Sequence, residues 1–174
     1  MNKLKKGNKI ILENDYAIIL TNKNEKILID IEDIDLIKQY TWWTNYKYAV
    51  ALTSSNKKIF MHKLIMNIDS IHQGDHINRN KLDNRKSNLR IATLIENNRN
   101  RNIQKNNTSG IIGVSWAKTN NKWRSRIGRK LLGHFDDFND AVLARLLAEE
   151  EYYKEFAPQQ HLFEQYGVYK YNNQ

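Results

Sequence analysis

Until residue 137 the apolar residues of this chain come in short runs that alternate with polar ones and are cut by Asn- and Gly-containing turns. That pattern predicts short strands, because side chains alternate between the two faces of a pleated backbone. Residues 9–31 read as a hairpin: Ile10 and Leu12, then 17–20, then Ile27, Ile29 and Ile31, with a turn at 22–24. Residues 32–40 place Ile34, Ile37 and Tyr40 at helical spacing behind acidic residues, so a short helix is expected there. Further strands are expected around Trp42 and Trp43, over 46–52 and over 59–61, then a short helix over 62–67. The two tryptophans read as packing residues. Three more strands are expected between 113 and 135, with turns at 120–121 and 128–130. Residues 137–156 form the one long helical segment, with Ala141, Ala144, Ala148 and Tyr152 along one face and Pro158 ending it. The whole reads as an α+β protein.

The 174 residues suffice for one large domain or two small ones. The chain has no cysteine, which excludes a disulfide framework and thiolate zinc sites. No apolar run approaches the ~18–20 residues of a membrane span, and the basic start at Met1 lacks the apolar stretch of a signal peptide. The net charge of +9 is unevenly spread. Residues 1–78 carry 11 Lys/Arg and 9 Asp/Glu, residues 79–130 carry 14 and 2, and residues 131–174 carry 3 and 8. The basic middle segment predicts contact with a polyanion, since Lys and Arg that neutralise phosphates release condensed counterions. Trp116 and Trp123, interleaved with the basic residues, argue against a plain disordered tail.

The stretch from Gly74 to Asn100 reads as strand, polar loop, strand and helix. Thr93 and Glu96 form a T-x-x-E capping box that starts the helix at Leu94. Asn97 and Arg101, four residues apart, share a side of it. Phosphodiester hydrolysis needs a base to deprotonate water and a cation to stabilise growing negative charge. His76 suits the base role, with an ordinary pKa near ~6.5. Asp75 offers hard oxygen. Neighbours on a strand point to opposite faces, so cooperation between the two calls for a local twist or bulge. A side-chain carbonyl accepting from His76 Nδ1–H would fix the ring and leave Nε2 as the base, and Asn88 is the candidate.

This segment resembles the HNH (ββα-metal) nucleases, in particular the homing endonucleases of phages and introns. The matching residues are Asp75 and His76, the loop from Asn80 through Asp83, Asn84 and Arg85 to Asn88, Leu89 and Arg90, and Asn97 on the helix. Met61-His62-Lys63-Leu64-Ile65-Met66 is similar to the family's H-R-L-I-M lead-in, with Lys63 in place of Arg. The resemblance implies Asp75 and Asn97 as metal ligands, with Asn98 as a register alternative, His76 as general base and Asn88 as the residue that holds it. An Asp–Asn oxygen pair favours one Mg²⁺ or Mn²⁺ and no zinc. His72, His134 and His161 are expected to be surface or packing residues. Arg79, Lys81, Arg85, Arg90, Arg99 and Arg101 are expected to bind DNA, the last three by holding its backbone.

Residues 107–157 resemble a second family, the Apetala-two domain of plant ethylene-response factors, which also occurs in HNH endonucleases. The match rests on Thr108-Ser109-Gly110, Gly113-Val114-Ser115-Trp116, Lys122-Trp123-Arg124-Ser125-Arg126-Ile127, Leu132-Gly133-His134-Phe135 and the helix with Ala141 and Ala144. It implies a three-stranded antiparallel sheet packed on a helix, with the sheet in the major groove. Arg124 and Arg126 project from one face. Trp116, Lys122, Arg129 and Lys130 are the other expected contacts, and the acidic helix is expected to face away from DNA. The short turn at 128–130 departs from the family and leaves the reading face open.

The expected organisation is a scaffold and nuclease domain over 1–102 with its core at 60–102, a linker at 103–107, an Apetala-two-like domain over 108–160 and a tail over 161–174. The expected function is metal-dependent endonucleolytic cleavage of double-stranded DNA by a monomer in the cytoplasm of a phage-infected or bacterial cell. The rival is a sequence-specific DNA-binding regulator carrying a vestigial nuclease motif.

Overall fold

The computed structural model describes residues 7–69, 71–100 and 103–169. The chain is a mixed α+β protein with several small antiparallel sheets. It divides into two compact units, Met1–Asn97 and Asn98–Gln174. Among the described residues no helix is long and apolar enough to cross a membrane.

The first unit opens with a three-stranded meander, β1 (Lys9–Leu12), β2 (Ala17–Leu20) and β3 (Lys26–Ile29), where the sequence pattern predicts a hairpin. The third strand exists because the turn at 21–25 folds on itself: Thr21 Oγ1 accepts the N–H groups of Lys23 at 3.3 Å and Glu25 at 3.1 Å. A 3₁₀ turn (Ile31–Asp33) leads into α1 (Ile34–Ile37), which is shorter than the apolar spacing suggests. Trp42 packs back onto this helix: the side chain is buried and its indole N–H donates to Ile37 C=O at 2.9 Å. Asn8 clamps the same residue, accepting from Trp42 N–H at 2.6 Å and donating to Trp42 C=O and Leu20 C=O, each at 2.9 Å.

A second sheet comes next, β4 (Trp43–Asn45), β5 (Tyr48–Leu52) and β6 (Lys58–Phe60), in that order, then α2 (Met61–Ile65). The unit closes on a two-stranded pair, β7 (Gln73–His76) and β8 (Leu89–Ala92), and then α3 (Leu94–Arg99), whose last two residues, Asn98 and Arg99, belong to the second unit. Ile19, Ile27, Ile29, Ile37, Trp42, Ala49, Ala51, Met61 and Leu89 share one core, so the β7–β8 pair is anchored to the scaffold through apolar burial.

In the second unit β9 (Val114–Ala117), β10 (Lys122–Ile127) and β11 (Lys130–Phe135) form an antiparallel sheet in the order β11-β10-β9, covered by α4 (Phe138–Tyr153). The Asp137 carboxylate caps α4, accepting from Asn139 N–H at 2.6 Å and Asp140 N–H at 3.2 Å. The helix ends at Lys154, whose φ of 49° breaks it before Pro158 is reached. Its buried stripe runs through Ala141, Val142, Arg145, Leu146, Ala148 and Glu149, which displaces Tyr152 to the exposed side. Residues read from sequence as a tail belong to this unit's core, where Phe163 and Val168 pack with Val114, Val142 and Leu146.

Candidate functional site

The loop between β7 and β8 holds itself in shape. Asn78 Oδ1 accepts from Asn80 N–H at 2.8 Å, Asn80 Oδ1 from Leu82 N–H at 3.2 Å, and Asn80 C=O from Asp83 N–H at 3.0 Å. These Asx turns explain the density of asparagine in this part of the sequence. The buried Asp83 carboxylate accepts from Arg85 at 2.8 and 2.7 Å and from Asn78 Nδ2 at 2.9 Å. Burial pushes that carboxyl up, but the guanidinium of Arg85 and the Asn78 amide outweigh it and hold it below its ordinary range. The loop is also laced to the first sheet: Leu28 N–H donates to Leu82 C=O and Asn84 N–H to Leu28 C=O, both at 2.8 Å. Asn88 staples the loop's two ends, accepting from Asn78 N–H at 2.9 Å and donating to Asp83 C=O at 2.8 Å.

The pairing of β7 with β8 runs from Gln73↔Ala92 to His76↔Leu89 in regular register. Alternation therefore puts Gly74 and His76 on one face and Gln73 and Asp75 on the other, and no bulge interrupts the ladder to bring Asp75 and His76 together as the sequence pattern requires. His76 is 4% exposed. Its ring lies 5.0 Å from that of His62 and 6.2 Å from that of Tyr48, and Lys81 Nζ sits 4.0 Å over Tyr48. Burial lowers the pKa of His76, opposed by Asn84 and by the carboxylates of Asp75 and Asp83. The imidazole is thus held toward its neutral, proton-accepting form. His76 Nε2 is 3.4 Å from Asn84 Oδ1. An Nε2–H tautomer donates to that oxygen and keeps Nδ1 as the basic nitrogen. The carbonyl facing the ring at Nε2 comes from Asn84, four residues before the Asn88 that the sequence pattern points to.

On the other face, Asp75 Oδ2 accepts from Arg90 Nε at 2.8 Å and from a terminal guanidinium nitrogen of the same arginine at 2.7 Å. Arg90 stands directly across the ladder from Asp75. Asn97, on α3, donates through Nδ2 to Gln73 Oε1 at 2.7 Å. The capping box positions this helix: Thr93 N–H donates to Glu96 Oε2 at 2.8 Å and Glu96 N–H to Thr93 Oγ1 at 3.3 Å. The Gln73 bond brings Asn97 to the face that carries Asp75 and uses the asparagine's donor, so its hard carbonyl oxygen is the atom to offer a cation. A carboxylate oxygen plus an amide oxygen suits Mg²⁺ or Mn²⁺ completed by water and phosphate. The donor chemistry fits such an ion. The two Arg90 contacts above both fall on one carboxylate oxygen of Asp75.

The basic residues expected on DNA have varied placements. Arg85 grips Asp83, Arg90 grips Asp75, and Lys81 covers Tyr48. Arg79 occupies the loop with φ 65°, its N–H donating to His76 C=O at 2.9 Å. Arg99 stacks 4.5 Å from the Tyr153 ring, and Arg101 lies outside the described residues. On the second unit's sheet, Ser125 and Ile127 are buried and Arg126 is exposed. Arg124, half-buried on the Arg126 face, donates to Ser115 Oγ at 3.2 Å. Trp116 pairs across the ladder with Trp123, ring centroids 5.2 Å apart, and Trp123 packs on Phe138 at 4.7 Å. Trp116 therefore shares the face of Val114 rather than that of the arginines. Lys122 meets Asp136 at 3.1 Å, Lys130 meets the Tyr152 hydroxyl at 2.7 Å, and Arg129 is exposed.

Gln73 and Tyr48 have no place in the sequence pattern, while Asn84 and His62 belong to it without an assigned role. Gln73 had one signal, its i, i+2 spacing to Asp75 on a strand. Tyr48 comes from a distant strand, and the contacts of Asn84 and His62 with His76 are found only by folding.

No family model matches the chain, and no solved structure matches it. Over 53 residues, 30% of this chain, it is 43% identical to Protein 3.8 of Escherichia phage T7. The match covers 44% of that relative's length. The relative's name states no activity.

Proposed function

We propose that this protein is an HNH-type, metal-dependent DNA endonuclease with an Apetala-two-like DNA-gripping module in its second unit. The observation that carries the reading is the strand–loop–strand–helix unit over Gln73–Arg99. There the Gln73–Asn97 hydrogen bond sets a helix asparagine on the face of Asp75, while a buried imidazole ends the same strand. His76 takes the proton from the attacking water through its basic nitrogen, and Asn84 holds the ring. The water oxygen bonds to phosphorus, and the bond to the 3′ oxygen breaks. Asp75 and Asn97 would hold one Mg²⁺ or Mn²⁺, which supplies positive charge to the phosphate and leaving oxygen when bound. Arg126 and Arg129 face outward for phosphate or guanine. One chain carries one such site, so a nick in one strand is the expected product, made in the cytoplasm of the host cell.

The Asp75–Arg90 ion pair favours a second reading, a DNA-binding regulator, because an arginine already neutralises the carboxylate that a cation would need. One assay separates the two: supercoiled plasmid carrying candidate target sites, wild type against His76→Ala, with Mg²⁺, Mn²⁺ or EDTA. The nuclease reading expects metal-dependent nicking by wild type and a loss of at least ~10²-fold in His76→Ala with binding retained. Binding by both proteins with cleavage by neither, on a verified tight-binding site, establishes the regulator.

A further inference from the structure

β7 carries a glycine between Gln73 and Asp75. A Cβ placed on Gly74 would lie 2.5 Å from His62 Cδ2, closer than such atoms approach, and 3.0 Å from Ile68 Cδ1, a tight contact. Gly74 and His76 share a strand face, so the ring of His62 crosses the bare backbone at one residue and reaches the imidazole at the next on that face. The two rings meet nearly edge to face, with an interplanar angle of 71° and centroids 5.0 Å apart. Tyr48 and Phe60 hold His62 from its other sides, at 5.6 and 5.8 Å. His62 is 4% exposed, and its buried Nδ1 has no hydrogen-bond partner among the described residues. What this ring contributes is therefore its surface and its place.

We propose that His62 is a positioning residue for His76: its ring is the wall that fixes the plane of the His76 imidazole, and Gly74 is the gap that admits the wall. The inference rests on reading His76 as the proton acceptor. His62 enters from α2, an element that supplies no group to the proposed chemistry, and acts through His76 alone. Burial keeps His62 neutral, so the wall adds no second positive charge when His76 takes up its proton. A wall of this kind is judged by shape. Phe preserves the ring and Ala removes it, while Gly74→Ala pushes the ring away and leaves His62 itself intact.

The test combines single-turnover plasmid nicking by the full chain with long-range ¹H–¹⁵N spectra of the His76 ring, on wild type, His62→Ala, His62→Phe and Gly74→Ala. His62→Ala and Gly74→Ala are expected to lower the maximal nicking rate by about 10- to 100-fold, the scale of a misplaced catalytic group, with the half-saturating DNA concentration unchanged. His62→Phe is expected to recover most of that loss. The spectrum should show one His76 tautomer in wild type and His62→Phe and exchange-broadened resonances in the two others. A wild-type rate in His62→Ala overturns the proposal, as does a His62→Phe protein no faster than His62→Ala. If wild type cuts no DNA, the nuclease reading fails by itself. The spectra still decide this one, since an unchanged His76 ring in His62→Ala refutes it.

Discussion

Asn97 on α3 donates its side-chain amide to Gln73 Oε1 at 2.7 Å, across 24 residues of sequence. Through that bond a helix residue with two possible amide orientations is given one, with its carbonyl oxygen turned away from Gln73. Gln73→Ala removes the acceptor and leaves Asn97 to rotate. On the proposed reading Asn97 holds the ion, and residues that orient metal ligands typically contribute about 10–100-fold to metal affinity. The expected result is a rise of about 10-fold in the Mg²⁺ or Mn²⁺ concentration that half-saturates cleavage, with the maximal rate recovered at high metal. Metal titration of nicking by wild type and Gln73→Ala measures it.

Asn88 closes the loop that carries Asp83 and Asn84. Asn88→Ala leaves the Asp83 carbonyl and the Asn78 N–H without their side-chain partner. An unsatisfied buried group costs about 1–3 kcal/mol, so a loss of that size is expected in urea unfolding. Asn88→Asp should cost less at the Asn78 N–H, which it still satisfies, but more at Asp83, where two acceptors then face each other.

Acid should weaken the first unit through His62, whose pKa falls from 6.5 to about 3, first through burial and then through the neighbouring charges of His76, Lys63 and Lys81. The unfolded chain binds a proton near the ordinary value while the folded protein refuses it. The stability from a neutral His62 is therefore complete above pH ~6.5 and lost as pH falls from there toward ~3. At about 1.36 kcal/mol per pKa unit the ceiling is roughly 4–5 kcal/mol. Glu149 acts in the opposite sense, since burial raises its carboxyl. The comparison to make is therefore wild type against His62→Phe: between pH 7 and 4 the variant should lose less stability by some kcal/mol of this order. Parallel losses in the two proteins would remove His62 as the cause.

The β4–β5 hairpin turns through Tyr46 and Lys47 with φ of 48° and 66°. Two successive residues in the left-handed region are the signature of a type I′ turn, which favours Asn-Gly. Tyr46 is 90% exposed and has little packing to lose. Tyr46→Asn with Lys47→Gly is expected to stabilise the protein by about 1 kcal/mol. Thermal melting shows this as a rise of a few degrees.

In the second unit Arg145 and Glu149 form a buried ion pair at 2.7 Å, completed by Gln159 Nε2 donating to Glu149 at 2.7 Å and Arg145 donating to Arg126 C=O at 2.6 Å. Burial pushes the Glu149 carboxyl up against the pull of Arg145. Removing one partner strands the other, so Glu149→Ala is expected to cost about 3–5 kcal/mol. Replacing both with apolar residues, Arg145→Met and Glu149→Leu, should recover much of that. Equal losses in the single and double variants would show that a stranded Arg145 charge is not the source of the loss.

The sequence alone determined the parts that neighbours a few residues apart control. Alternation predicted the strands, Thr93 and Glu96 the start of α3, Asp137 onward the long helix, and the Asn-rich loop a polar turn, because each depends on local backbone geometry. The ordered Asp75, His76, Asn88 and Asn97 pattern marked the candidate site through its resemblance to a known motif, which is likewise written in the order of the chain. The tertiary structure decided what surrounds those residues. It set His62 against His76 and Asn84 on its Nε2, gave Asp75 to Arg90 and Asn97 to Gln73, and buried Arg145 and Glu149 in a helix whose acidity suggested only that it faces away from DNA. These outcomes turn on register, on which strand face meets which element, and on packing between segments far apart in the chain, where the cost of burial is settled by partners that local pattern does not contain.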